Sequence, residues 1–152
     1  MDEETLLAAV GAAYAVTGAG LPSWPDPWTD GPAEDAYSRI TDPERYRIVG
    51  ARAAAWVRAL TDLGLMEVAG TDEGPLAWTP VDSRWTATHL RPHEEGALPL
   101  VVAVRAVDVE HDSVAVGVGT PPVSVGLVPQ CGCDACDDGS VALLDEVDRL
   151  FL

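Results

Sequence analysis

The sequence contains no lysine; all nine of its basic residues are arginine, against 25 acidic ones, for a formal charge of −16 and a pI near 4.2. That imbalance argues against whole classes of partner. A nucleic-acid binder needs a cationic footprint to displace counterions from phosphates, and here the phosphate backbone would be repelled over most of the surface. An anionic membrane surface is disfavoured for the same reason. No stretch approaches the ~20 consecutive apolar residues of a membrane-spanning helix. The chain opens Met1-Asp2-Glu3-Glu4, so the apolar run that follows lacks the positive flank of a secretory signal. A cytoplasmic location is the expectation. Also lacking are a G-x-S-x-G elbow, a phosphate-cradling glycine loop and an H-E-x2-H helix. The missing lysine, beside abundant Ala, Val, Gly, Pro and Asp, fits a GC-rich genome. The acidity itself serves solubility, or docks a basic partner.

At 152 residues the chain has the length of one domain, and it can bury about 70% of its unfolded surface without a metal or disulfide. Residues 1–64 read as a helical part. Leu6, Leu7, Val10, Ala13 and Tyr14 recur at helical spacing over 2–16, with acids in the first turn and Gly18 and Gly20 as stops. In LPSWPDPWTDGP, residues 21–32, four prolines and a glycine forbid helix and ladder alike. Trp24 and Trp28 of this connection are expected to fold back over the core edge. A second helix is signalled by Thr41 as N-cap, Pro43 in the first turn and Glu44 completing a capping box. Ile48, Val49, Ala53, Trp56, Leu60 and Leu63 mark its apolar face, and Gly64 its end. Arg45, Arg47, Arg52 and Arg58 fall elsewhere on that helix, where solvent or local acids would take them.

After Gly64 the period shortens. LMEVA, LAWTPV, RWTATHL, LPLVVAVRAVDV, SVAVGVG and VSVGLV are short, β-branched and bounded by Gly, Pro or Asp. EHDS and GTPP look like hairpin connections, and no helical crossover intervenes, so 65–129 should form an antiparallel sheet. Residues 130–152 comprise a cysteine turn and a last helix, SVALLDEVDRLFL, with Leu143, Leu144, Val147, Leu150 and Phe151 on one face. The predicted fold is α+β: four to six antiparallel strands with two N-terminal helices and one C-terminal helix packed on one side, in a single domain over 1–152. The apolar Phe151-Leu152 ending packs on the sheet, meets another subunit through the C-terminal helix, or marks a shortened chain.

All three cysteines fall in VPQCGCDACDDGS. Cys133 and Cys136 form a C-x2-C pair able to grip one tetrahedral metal, and Cys131 adds a third sulfur. Zinc suits such a thiolate set. A fourth ligand would come from His89, His93, His111, Asp134 or Asp137; the set adopted is Cys131, Cys133, Cys136 and His111. The cluster lies between a predicted strand and a predicted helix, where amides favour thiolate. Against a metal stand the missing second knuckle and the flanking aspartates, which raise thiol pKa unless a cation is present. Ordinary thiols in a turn, or a redox pair such as Cys131–Cys136, are the alternatives; a structural disulfide does not suit a reducing cytoplasm. Zinc base deaminases carry H-x-E followed by P-C-x2-C, with the Glu as acid/base. Here His93-Glu94-Glu95 and Pro129, Cys133 and Cys136 match only in part: Pro129 lies four residues before Cys133, and Glu95 falls on a turn beside Pro92, Gly96 and Pro99.

AYSRITDPERY, residues 36–46, together with CGCDACDDGS, residues 131–140, resembles a family of small uncharacterised actinobacterial proteins, a domain of unknown function. LRPHEEGALPLVVAV between them looks like that family's central strand. The resemblance covers most of the chain from about residue 36, and it implies little about activity. The sequence as a whole points to binding rather than catalysis. A structural metal or thiol site in an accessory protein leads, and an acidic module that docks a protein partner, its cysteines incidental, is the alternative. A zinc hydrolase or deaminase comes third.

Overall fold

The computed structural model describes residues 2–105 and 112–152. Helix α1 spans Glu3–Thr17, and the Asp2 carboxylate caps it by accepting the Thr5 amide at 2.8 Å. Its Val10 and Ala13 are buried, and Thr17 donates its hydroxyl to the Ala51 carbonyl, fastening α1 to the next helix. Helix α2 spans Arg47–Asp62 after a 3-10 turn over Pro43–Tyr46. Its buried side, including Ile48, Val49, Ala53, Trp56 and Leu60, follows the predicted stripe. Gly64, at φ 67°, ends it as expected. The Leu65 amide bonds Leu60 O and the Gly64 amide bonds Thr61 O, the paired closure that a left-handed residue permits.

The predicted capping box does not form. Asp42 takes a left-handed conformation (φ 47°), and Thr41 turns its amide and hydroxyl away from the helix onto Asp134. A charged, buried acceptor outcompetes the helix start for those donors.

Five strands follow: β1 Met66–Gly74, β2 Trp85–Pro92, β3 Leu100–Arg105, β4 Ser113–Val118 and β5 Val123–Val128. They pair antiparallel in simple order β1-β2-β3-β4-β5. Short connections dictate this order, since hairpins place consecutive strands side by side. The α+β expectation, with helices on one side of an antiparallel sheet, is met. The far end of LPLVVAVRAVDV and the first half of EHDS lie outside the described residues.

LAWTPV, expected as a strand, is a loop. Pro75 and Pro80 flank or interrupt it, and Thr79 bonds back to Leu76 O through its amide and hydroxyl. Its apolar residues have another use. Leu76, Trp78 and Val81 cover Trp85, Ala87, Val101, Ala103 and Ala115 on one face of the sheet. The opposite face presents Leu90, Val102, Val114 and Val116 to a core closed by α2 and the last helix, α3, Ser140–Asp148, with α1 packed on α2. Burial on both faces explains why β3 and β4 read as nearly unbroken apolar runs. α3 is fastened to α2 by Asp148, which accepts Arg52 Nε and Nη2, at 2.8 and 2.7 Å, and Trp56 Nε1 at 2.7 Å. Beyond α3, Phe151 stacks on Trp56 at 4.7 Å between ring centroids. Among the described residues no helix is long and apolar enough to cross a membrane.

Candidate metal centre

The cysteine segment leaves the sheet at the end of β5. Pro129 ends the ladder, and a single 3-10 turn over Asp134–Cys136 brings the chain round. The turn gathers all three sulfurs, which lie within 4.8 Å of one another. Cys133 Sγ is central, 3.1 Å from Cys131 Sγ and 3.5 Å from Cys136 Sγ. Cys133 is buried; Cys131 and Cys136 face outward. A zinc ion with bonds of about 2.3 Å sets its tetrahedral sulfurs roughly 3.8 Å apart, so small outward shifts would suit the trio to one ion.

Two of the segment's three aspartates, Asp134 and Asp137, are held by residues outside the cluster, and Asp138 is exposed. Asp134 accepts the Thr41 amide at 2.7 Å, the Thr41 hydroxyl at 2.6 Å and Arg39 Nε at 2.8 Å, while its own amide donates to Arg39 O. Asp137 accepts Trp24 Nε1 at 2.8 Å and its own loop's Gly139 amide at 2.9 Å, and pairs with Arg45 at 3.0 Å. Arg45 also lies over the Trp24 and Tyr46 rings. Trp28 Nε1 donates to Asp134 O at 2.9 Å, and Trp24 and Ser140 exchange backbone and hydroxyl hydrogen bonds. The loop of 21–32, the segment of 36–46 and the cysteine turn therefore close on one another.

Residues 10–152 match the family of unknown function DUF6226. The chain belongs to that family. No curated protein and no solved structure matches it.

The two stretches that carried the resemblance to an uncharacterised family thus form one interlocked unit in this DUF6226 chain, despite more than 80 residues between them. The role of the aspartates departs from expectation. Asp134 and Asp137, weighed as metal ligands, already have their carboxylates filled by Thr41, Arg39, Trp24 and Arg45. The arginine partners also offset the negative charge that would oppose thiolate formation. Arg45 and Arg52, expected to meet solvent or local acids, instead hold acids far along the chain, whereas Arg47 and Arg58 do pair locally with Glu44 and Asp62.

The thiols are not equivalent. Hydrogen bonding from the Cys131 thiol lowers the Cys133 pKa; burial opposes this, and the Cys136 thiol and the amides of Cys136 and Ala135 add to the lowering. Cys136 moves the other way, pushed up to about 12, chiefly because its proton is committed to Cys133 and secondarily by burial. Without a cation the trio thus keeps its most firmly held proton on Cys136. A soft divalent ion would displace that proton.

The remaining DUF6226 site candidates separate. His89 is a half-buried strand residue, with its Nε2 3.0 Å from Asp72. His93 and Glu95 are exposed in the turn after β2, so the geometry a deaminase needs is not assembled there. No histidine or carboxylate joins the three sulfurs among the described residues. His111 lies outside the described residues. Among the described residues that flank it in sequence, Arg105 pairs with Ser113, and Val114 with Val128, at the end of the sheet from which the cysteine segment departs.

Proposed function

We propose that this protein is a non-enzymatic, cytoplasmic binding protein whose cysteine turn holds one structural zinc ion through Cys131, Cys133 and Cys136, with His111 as fourth ligand. The convergence of three sulfurs within 4.8 Å carries this reading. A disulfide would use two of these sulfurs and strand the third, whereas one ion engages all three. The register at the end of the sheet favours His111, because the chain re-enters β4 at Ser113 beside the strand that leads into the cysteines. The role is structural because the same turn carries Asp134 and Asp137. Pinning the sulfurs pins the carboxylates that hold the Trp24 loop and the Arg39–Arg45 segment.

Elemental analysis of protein purified without chelator tests the proposal. One zinc per chain is expected, lost in C133S and C136S and weakened in H111A. An anomalous scattering peak beside Cys133 would locate the ion. Metal-free protein with three freely titrating thiols would refute the proposal.

A further inference from the structure

The two edges of the sheet differ in kind. β1 carries Glu67, Asp72 and Glu73, and its register slips between Val68 and Gly70. Charges and bulges are the usual means of keeping an edge from pairing. β5 reads VSVGLV, with no charge, and Val123 and Val125 are 69% and 50% exposed. It has one irregularity, the unpaired Val125, and pairs regularly from Gly126 to Val128. One of its two backbone rows faces β4. Among the described residues no hydrogen bond reaches the other.

That bare edge borders a cleft of about 520 Å³, walled by β5 and its continuation to Gln130 on one side and by α3 on the other. Leu127, Leu143 and Leu150 give it apolar surface, and Asp138 and Glu146 stand exposed on its border. Neither carboxylate has an ion pair among the described residues, and one arginine, Arg149, also lines the cleft. A strand beside a helix, with an open backbone row between them, is a shape that accepts an extended peptide. The occupant's charge follows from the border and from the net −16 of the chain. A second copy would bring the same −16 to the contact, whereas a basic segment is drawn to it.

We propose that the cleft between β5 and α3 takes an extended, basic segment of a partner protein, which pairs with the outer row of β5 as a further strand and sets its cations against Asp138 and Glu146. The backbone row supplies affinity and register. Alternate side chains of the segment enter the cleft against Leu127, Leu143 and Leu150, and the border carboxylates select its charge. Cys131 and Cys136 also line this cleft, but the strand row and the two carboxylates that the proposal uses are not metal ligands.

Selection of random peptides a dozen residues long on the full chain, with zinc content measured on the same sample, tests the proposal. Enriched peptides should be basic and should alternate apolar and polar residues. They should shift or protect the amides of Val123–Val128, and bind roughly tenfold more weakly to the double variant D138R/E146R. Both positions are exposed and outside the core, so the variant should fold; its unfolding curve confirms this. Enrichment of acidic or helical peptides, unchanged binding to the folded variant, amide changes elsewhere, or no enrichment would overturn the proposal. So would a concentration-dependent dimer that protects β5, since a second copy would then be the occupant. Loss of peptide binding with zinc retained defeats only this inference; absence of zinc with peptide binding intact defeats only the metal centre.

Discussion

Replacing Asp134 with alanine removes the acceptor on which the Thr41 amide, the Thr41 hydroxyl and Arg39 Nε converge. Arg39 is 47% exposed at its side chain and regains water, so its share is small. The two Thr41 bonds are made to a buried charge. At the low end for charge-assisted bonds, about 1.5 kcal/mol each, they make the expected loss about 3 kcal/mol. For a chain of this length that lowers the melting temperature by roughly 6–12 °C. Urea unfolding followed by tryptophan fluorescence should show a lower midpoint at an unchanged slope. Asn in place of Asp should not rescue, because an amide offers a single acceptor oxygen to three donors.

The pH dependence has a fixed sign. Burial alone would raise the Asp134 pKa, but the bonds from the Thr41 hydroxyl and amide and from Arg39 outweigh it, and the net shift is below 3.8. A depressed folded value means that the stabilisation is present above the ordinary carboxylate range and is lost as the pH falls through the folded value. The wild-type advantage over D134A should therefore be full at neutral pH and shrink in strong acid. Zinc affinity should fall about tenfold in D134A, because the binding turn must then be ordered at the expense of the metal. A deficit under about 1 kcal/mol, or one that persists unchanged in acid, would refute the reasoning.

Asp148→Ala should cost about 3–5 kcal/mol in the same unfolding assay, since it leaves Arg52, 12% exposed at its side chain, and Trp56 Nε1 without their shared acceptor. Gly139→Ala should cost about 2 kcal/mol or more and perturb Trp24 fluorescence: Gly139 sits at φ 90°, and a Cβ there would stand 2.6 Å from the Asp26 backbone nitrogen. Zinc affinity, measured by chelator competition, should strengthen at least about tenfold per pH unit through the neutral range, because binding displaces the proton held on Cys136, whose pKa is about 12. A flat profile would show that no thiol proton is released.

Legibility in the sequence tracked the locality of the interactions. The stripe of α2, its stop at Gly64 and the alternation of β2 are set by neighbours within a few residues, so periodicity found them. LAWTPV was misread because its apolar residues satisfy a strand pattern while its prolines deny it ladder bonds; only the uncovered face of the sheet gives those residues a place. Thr41 was misread as a cap because Asp134, 93 residues away in sequence, is the stronger acceptor. Cysteine spacing made the trio legible, but the role of Asp134 and Asp137 beside the cysteines was not, although acids within CGCDACDD and arginines within SRITDPER both stand in the sequence. By itself the sequence determined the three helices and five of the six segments read as strands, the acidic surface and the clustering of thiols, all consequences of composition and short spacing. Tertiary structure alone decided which way Asp134 and Asp137 face and that β5 ends the sheet beside α3, because buried charges take their partners from wherever the chain returns.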